Sequence, residues 1–415
     1  MEGLVVRLDS HEATDAARFG PKAANLAALA RAGLPTPGGF AVDARAYRTQ
    51  LAFLGLEETA CEVFAAGDRP RARRCALDMK LGLMEKPIAP RVLESLLAVR
   101  QAVVRSSALV EDRAGSSFAG QFESFLDLQD EQEFLTAVRA CWAALWSTRA
   151  LRYMATHDLD PADTAMALLV QPLVAARVSG GGLSRTAEGD MVINAAPGLG
   201  SAIAQGEVAP DRYVLYPDGK LRDSTLGRKY HGVACVHGRR SLSRSLSGAR
   251  CLDAEQVAEI GLLMRRSEEV IGGPVEIEWA ADDGGIKLLQ ARPLRVAEPS
   301  VPDGIWLQHP RLDGHPSGIG WGEGRARVVS CECELERVAP GDVLVTTVAG
   351  PALGPVLAHV AGVVAELGGS TSHLASLARE RGIPMVLGVR DATRQIPDGS
   401  RVAIDGVAGI VRWMR

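Results

Sequence analysis

A histidine at residue 373 sits in the run Gly368-Gly369-Ser370-Thr371-Ser372-His373-Leu374-Ala375-Ser376-Leu377-Ala378-Arg379. The apolar stretch 361–367 before it reads as a buried strand, and Leu374, Leu377 and Ala378 after it fall at helical spacing. His373 is therefore expected where a Gly-rich turn becomes a helix. The N–H groups of a first helical turn lack intrahelical partners, and Ser370, Thr371 and Ser372 add hydroxyls beside them. Such a corner can hold a phosphoryl group. The positive end of the helix disfavours an imidazolium and favours an anion on the ring nitrogen, which leaves a neutral, nucleophilic imidazole. The plainer reading is a polar residue opening an ordinary helix.

Three further stretches offer chemistry that suits phosphates. Lys22 follows Gly20-Pro21 at the head of a helical face made by Leu26, Leu29 and Ala30; it is either a solvated lysine or an ammonium aimed at phosphates. The apolar run Ala102-Val103-Val104 delivers Arg105, Ser106 and Ser107 to its end, and a guanidinium there can bind two phosphate oxygens at once. Residues 274–280 and 287–293 alternate as two strands joined at Asp282-Asp283-Gly284-Gly285, a hairpin signal. Glu276 and Glu278 then share one face, and Gln290 and Arg292 align with each other. Carboxylate and amide oxygens are hard ligands that suit magnesium on nucleotide phosphates; the alternative is a surface salt bridge between Glu278 and Arg292. Gln171, inside the apolar run 165–174, needs a polar partner and could serve an adenine or ribose edge.

The string GGSTSHLASLARERGIPMVLGV closely resembles the phosphohistidine motif of the swivelling domain shared by phosphoenolpyruvate synthase, pyruvate phosphate dikinase, rifampin phosphotransferase and, with another phosphoryl donor, enzyme I of the sugar phosphotransferase system. RFGPKAANLAALARAGLPTPGGF, VVRSSALVEDRAGSSFAGQFESFL and EWA…LLQARP resemble the ATP-binding module of the same family, with Pro21 in place of a second glycine. The resemblance implies a two-lobed ATP-grasp module followed by a small β/β/α phosphohistidine swivelling domain, a multidomain α+β and α/β chain. It implies that Lys22, Arg105, Gly120, Ser124, Gln171, Glu278, Gln290 and Arg292 contact ATP. Glu278 and Gln290 would hold Mg2+ or Mn2+, Arg292 would be the catalytic arginine, and Gly368, Gly369, Thr371 and Ser372 would support the phosphohistidine loop. His373 would attack the β-phosphorus of ATP, release AMP, and keep a phosphoryl group after loss of the terminal phosphate. After Gln171 the relatives commonly read Ser-Gly-Val-x-Phe-Thr, whereas this chain has Ser179-Gly180-Gly181-Gly182-Leu183-Ser184, read as a flexible loop.

The expected partition is an ATP-grasp module at 1–296, with lobes near 1–185 and 186–296, a Pro-rich linker at 297–304 and the swivelling domain at 305–415. About forty residues follow His373, too few for the barrel that binds pyruvate or phosphoenolpyruvate in full-length synthases. The acceptor is accordingly expected to be a small molecule, or to sit on a separate subunit as in a split phosphoenolpyruvate-synthase-like or phenylphosphate-synthase-like complex. A non-catalytic nucleotide-binding module is the remaining alternative, disfavoured by the intact Lys22, Arg105, Glu278, Gln290, Arg292 and His373.

With 47% apolar and 23% charged residues and a net charge of −4, the composition suggests neither nucleic acid nor membrane as partner. No signal-peptide pattern or membrane-length apolar run is present, and seven scattered cysteines, including Cys331 and Cys333, read as free thiols, so a cytoplasmic location is expected. Helical spacing of 134–153 reads as a scaffold helix with Trp142 and Trp146 in the core, 41–100 as helix-rich scaffold, and the arginines between 239 and 250 as a solvated face. His359, among Val356, Leu357 and Val360, reads as a packed core residue.

Overall fold

A computed structural model describes residues 3–65, 69–111, 118, 122, 124–228, 248–296 and 304–414. Gly120, the linker 297–303 and most of the arginine-rich stretch, 239–247, lie outside the described residues. The chain divides into two units: Met1–Val174 with Lys287–Arg292, and Ala175–Ile286 with Pro293–Arg415.

In the first unit, β1 (Val5–Arg7), β2 (Phe40–Val42), β3 (Val103–Ala108), β4 (Ser124–Phe125) and β5 (Met166–Gln171) form an antiparallel sheet of order β1-β2-β5-β3-β4. All of β5 is buried, as a central strand covered on both faces should be. The helix Ala16–Arg31 packs on β3 and β5 through a face that includes Phe19, Leu26 and Leu29. Its regular geometry breaks at Gly20, where φ is +74°, and a Cβ there would lie 2.3 Å from the Ser107 carbonyl oxygen. Only glycine fits both conditions. Pro21 then reopens the helix at a position whose N–H needs no partner, which puts Lys22 in the first turn beyond the break. Four helices occupy 44–97, namely Ala44–Leu54, Glu57–Ala65, Arg69–Glu85 and Pro90–Leu97. The stretch 134–153 is not one helix: Glu131–Ala144 ends, and Ser147 caps a second helix, Thr148–Thr156, by accepting from the Ala150 N–H. Trp142 and Trp146 are core residues as expected, and Trp146 Nε1 donates to the Tyr47 hydroxyl at 2.8 Å.

The second unit contains β6 (Val178–Leu183), β7 (Met191–Pro197), β8 (Asp211–Leu215), β9 (Leu221–Thr225) and β10 (Val275–Asp282), antiparallel in the order β10-β6-β7-β8-β9 within a six-stranded sheet. After the turn at Asp282, β11 (Gly285–Pro293) begins, and its residues Lys287–Arg292 belong to the first unit. The triple glycine is not a flexible loop: it is the middle of β6, hydrogen-bonded on both edges. Its lack of side chains is set by packing. A Cβ on Gly180 would meet the Asn194 carbonyl oxygen at 1.8 Å, and one on Gly182 would meet Met264 Sδ at 2.6 Å. The helix Ala254–Ile271, which carries Met264, covers the face formed by Gly182, Met191 and Leu215.

The remaining strands are β12 (Arg311–Asp313), β13 (His315–Pro316), β14 (Trp321–Val329), β15 (Val343–Thr346), β16 (Gly362–Ala365), β17 (Met385–Leu387), β18 (Arg401–Asp405) and β19 (Ile410–Met414), in an eight-stranded sheet of order β12-β19-β18-β14-β15-β16-β17-β13. Strands β14 to β17 run parallel, and β14 turns its first half to β18 and its second to β15. Val343, Val345, Val364, Val386, Ile404, Val411 and Trp413 fill this core. The expected strand before the Gly-rich turn is β16. His359 is not in the core: the apolar spacing around it is one 3₁₀ turn, Val356–Ala358, and His359 ends that turn exposed to solvent. Cys331 and Cys333 are exposed and form no disulfide. Among the described residues no helix is long and apolar enough to cross a membrane.

Candidate active site

In the first unit, Lys22 is not a solvated lysine. Its side chain is 12% exposed, its Nζ donates to the Ser106 carbonyl at 2.9 Å, and it pairs with Glu111 Oε2 at 3.2 Å. Glu111 is itself 4% exposed and accepts from the Ala108 N–H through Oε1. This carboxylate went unassigned in the sequence; the signal was a Glu three positions past the end of a buried strand, a counter-charge that a buried ammonium requires. Arg105, on β3, donates Nη1 to the Leu289 carbonyl at 2.6 Å and Nη2 to Gln290 Oε1 at 2.9 Å. Asn25 Nδ2 donates to the Ala291 carbonyl at 3.1 Å. The loop end of β3, the Lys22 turn and residues 289–291 thus come together as one polar cluster. Ser124 pairs with Arg105 across β3 and β4 and is exposed. Gln171 is buried and donates Nε2 to the Gly38 carbonyl at 3.0 Å, so its amide has the partner its burial demands. Arg292 is half-buried on β11.

In the second unit, His373 is the first residue of the helix His373–Arg381 and is half-buried. Ser372 is its N-cap, and the serine oxygen accepts from the Ala375 N–H at 3.3 Å. The hydroxyls divide their tasks. Ser370 donates to the Pro316 carbonyl at 2.7 Å, which fixes the loop and leaves that proton unavailable to a phosphate. Gly368 has φ +104° and donates its N–H to the Val208 carbonyl at 3.0 Å. A Cβ on Gly369 would lie 2.8 Å from Pro210 Cγ. Both glycines therefore serve a turn pressed against the loop 206–210, a role composition alone did not suggest.

The loop that leads into His373 rests on the face of the β6–β10 sheet opposite the helix Ala254–Ile271. On that face the strand register aligns Glu278 with Gly181, Gly181 with Asn194, and Asn194 with Arg212. Thr371 stands directly over Gly181, whose absent Cβ would lie 2.6 Å from the Thr371 Cβ, and Thr371 Oγ1 accepts from Asn194 Nδ2 at 3.2 Å. Glu278, half-buried, is the next residue along this row. Glu276, two residues earlier on the same face, is buried and bonded to Ser376 and Arg379 of the His373 helix. Beyond Arg212, the side chain of His315 faces Arg212 and Arg228; its Nδ1 is buried with no hydrogen-bond partner, and burial pushes the ring down to about 3.

Among the described residues no three His, Cys, Asp or Glu side chains cluster as a self-sufficient metal cage. Magnesium does not need one, because it commonly takes one or two protein oxygens and completes its shell with phosphate and water. The donors named from sequence have that chemistry: Glu278 offers a half-buried carboxylate, and Gln290 Oε1 keeps one lone pair beyond its bond to Arg105.

Residues 16–304 match the family described as pyruvate phosphate dikinase, AMP/ATP-binding domain, and residues 338–409 match the PEP-utilising enzyme, mobile domain. The mobile-domain match contains His373 and its helix. A probable phosphoenolpyruvate synthase of Methanothermobacter thermautotrophicus is 32% identical over 94% of this chain and 61% of its own length. The phosphoenolpyruvate synthase of Aeropyrum pernix is 33% identical over 94% and 56%, and that of Pyrococcus furiosus 30% identical over 96% and 57%. The chain thus spans somewhat more than half the length of the curated relatives it matches. A nucleotide-binding domain and a histidine-bearing mobile domain in this order place the chain in the pyruvate phosphate dikinase and phosphoenolpyruvate synthase family.

Proposed function

We propose that this chain carries the phosphoryl-donor chemistry of an ATP-dependent, dikinase-type phosphotransferase that works through a phosphohistidine at His373. The observation that carries the reading is the seat of the His373 loop: Thr371 rests on Gly181, the cross-strand neighbour of Glu278, so the helix opening at His373 begins beside the strand that bears the carboxylate. An imidazole nitrogen of His373 bonds to the β-phosphorus, the bridging oxygen leaves with AMP, and the ring proton passes to solvent. Water then removes the terminal phosphate as orthophosphate, and the remaining phosphoryl group goes to an acceptor.

Lys22 and Arg105 offset phosphate charge, and Arg292 does so at the group in transfer. Glu278 and Gln290 would hold magnesium or manganese, which when bound neutralises phosphate oxygens. Gly120, Ser124 and Gln171 contact the nucleotide, and Gly368, Gly369 and Ser372 shape the loop that receives the phosphoryl group. One histidine serves both ATP and an acceptor by travel of its domain, 305–415, about the linker 297–304 from a nucleotide module at 1–296. The relatives' name points to an enol-type acceptor chemistry, supplied as a small molecule or by a further domain or subunit.

The test is incubation with ATP labelled at the β or the γ position, followed by mass analysis of protein and products. Label from the β position should appear on His373, with γ label released as orthophosphate and AMP formed. γ label on the protein, or ADP as the nucleotide product, would overturn the reading.

A further inference from the structure

The buried contact between β10 and the His373 helix has no part in the chemistry above, yet it is an ion pair with several hydrogen bonds to each partner. Glu276 and Arg379 are each 6% exposed, and Arg379 Nη2 donates to Glu276 Oε2 at 2.9 Å. The Ser376 hydroxyl lies 3.0 Å from both oxygens of that carboxylate and accepts from Arg379 Nη2 at 3.1 Å. Arg379 Nη1 donates to the Ser370 carbonyl at 2.6 Å and to the Ser317 carbonyl at 3.3 Å. One guanidinium therefore joins the strand that carries Glu278, the helix that opens with His373, and the loop between Ser370 and His373.

We propose that Glu276 and Arg379 form a releasable latch: they are positioning residues that set the register of the His373 helix on the strand bearing Glu278 while the histidine is phosphorylated. The proposal rests on the phosphohistidine reading and adds to it the contact that makes docking specific. The physical case is the choice of an ion pair where an apolar seam would also fit. Burying two charges costs nearly what their attraction returns, so such a pair adds little net affinity over apolar contact. What it adds is geometry, because a planar fork bonded to several acceptors tolerates one arrangement and no sliding. When the surfaces part, water solvates both ends, so the pair does not trap the docked state. A domain that must dock in one register and leave again needs this combination, and the small residues beside it, Gly181 under Thr371, bring the two surfaces into close approach.

The test compares Glu276→Gln, Arg379→Met and Arg379→Lys with the wild-type chain in four measurements: rapid-quench formation of phosphohistidine from β-labelled ATP, nucleotide affinity, amide exchange over 374–381, and labelling of His373 by phosphoramidate, which needs no docking. In Glu276→Gln and Arg379→Met the ATP reaction should slow about tenfold or more, by loss of alignment. Nucleotide affinity and phosphoramidate labelling should hold, and helix amides should exchange faster. Arg379→Lys, which keeps the charge without the fork, should recover part of the rate. Wild-type rates in Glu276→Gln, or a phosphoramidate reaction that falls in step with the ATP reaction, would overturn the latch. If the wild-type chain takes no β label, the phosphotransferase reading fails, and amide exchange alone decides the latch: unchanged exchange over 374–381 in Glu276→Gln rejects it.

Discussion

Gly181→Ala separates docking from folding. The residue lies mid-strand in β6, between Asn194 on β7 and Glu278 on β10, with no positive φ to forbid a side chain. Its three nearest would-be neighbours all belong to Thr371: the added Cβ would sit 2.6 Å from the threonine Cβ and 2.8 Å from Cγ2 and Oγ1. Carbon atoms rest at about 3.5–4.0 Å, so the loop would have to rise by about 1 Å. Within the sheet the same change removes backbone freedom from the unfolded chain and is worth about 0.5–1 kcal/mol in favour of folding. A displacement of about 1 Å at a reacting group costs on the order of 100-fold in rate, or about 2.7 kcal/mol of barrier. The expected outcome is a protein that melts at or slightly above the wild-type temperature yet forms phosphohistidine from ATP roughly two orders of magnitude more slowly. Gly180→Ala is the contrast, because its Cβ would meet a backbone oxygen at 1.8 Å and the sheet itself must deform; that variant should lose stability first. Melting curves and rapid-quench labelling read both quantities. If Gly181→Ala is stable and labels at the wild-type rate, Thr371 does not rest on β6 when the phosphoryl group moves.

Three other outcomes follow from particular contacts. Lys22→Met strands the buried Glu111 carboxylate and should cost about 3–5 kcal/mol in denaturant titrations; adding Glu111→Gln should restore most of that without restoring nucleotide affinity, and a double variant no more stable than the single would refute the pairing argument. His373→Ala should bind nucleotide normally and form no phosphoprotein, so label from β-labelled ATP at wild-type level on this variant would end the phosphohistidine reading. His315, held down to about 3 by burial and by Arg212 and Arg228, is neutral in the fold but takes a proton once unfolded. Stability should therefore fall as pH drops from the ordinary histidine value of 6.5 toward 3, because the unfolded chain takes up a proton that the folded ring refuses, and His315→Gln should flatten that fall in melts across acid pH.

The strand, turn and helix around His373 are legible in local spacing, whereas the surfaces they pack on are not. A strand, a Gly-rich turn and a helix opening at His373 follow from local spacing, and local spacing is enough because the cap and the apolar face lie within a dozen residues. The triple glycine failed for the opposite reason: nothing local distinguishes three glycines in a loop from three glycines in a strand crowded by Asn194, Met264 and Thr371, residues far away in the chain. His359 failed through length, since two apolar neighbours on each side suit a helix that the chain ends after one 3₁₀ turn. Arg379 was in view as the last residue of the reactive motif but silent, because its meaning depends on Glu276, about a hundred positions away. Local sequence gave no separate hint, because Arg379 stands beside Glu380 and Arg381 at the end of the same nine-residue helix.

The helix that opens with His373 is also a lever. From His373 to Arg379 the backbone rises about 9 Å, at about 1.5 Å per residue. A tilt of about 6° about the Arg379 backbone would swing the His373 end through about 1 Å, given that length, and the Arg379 fork opposes it by also holding the Ser370 carbonyl. Thr371 on Gly181 pins the near end and removes that swing. The Thr371 seat and the Arg379 fork together hold this helix at one angular setting on the strands beneath it. Small changes at either contact should appear as errors of aim, well before they appear as loss of folded protein.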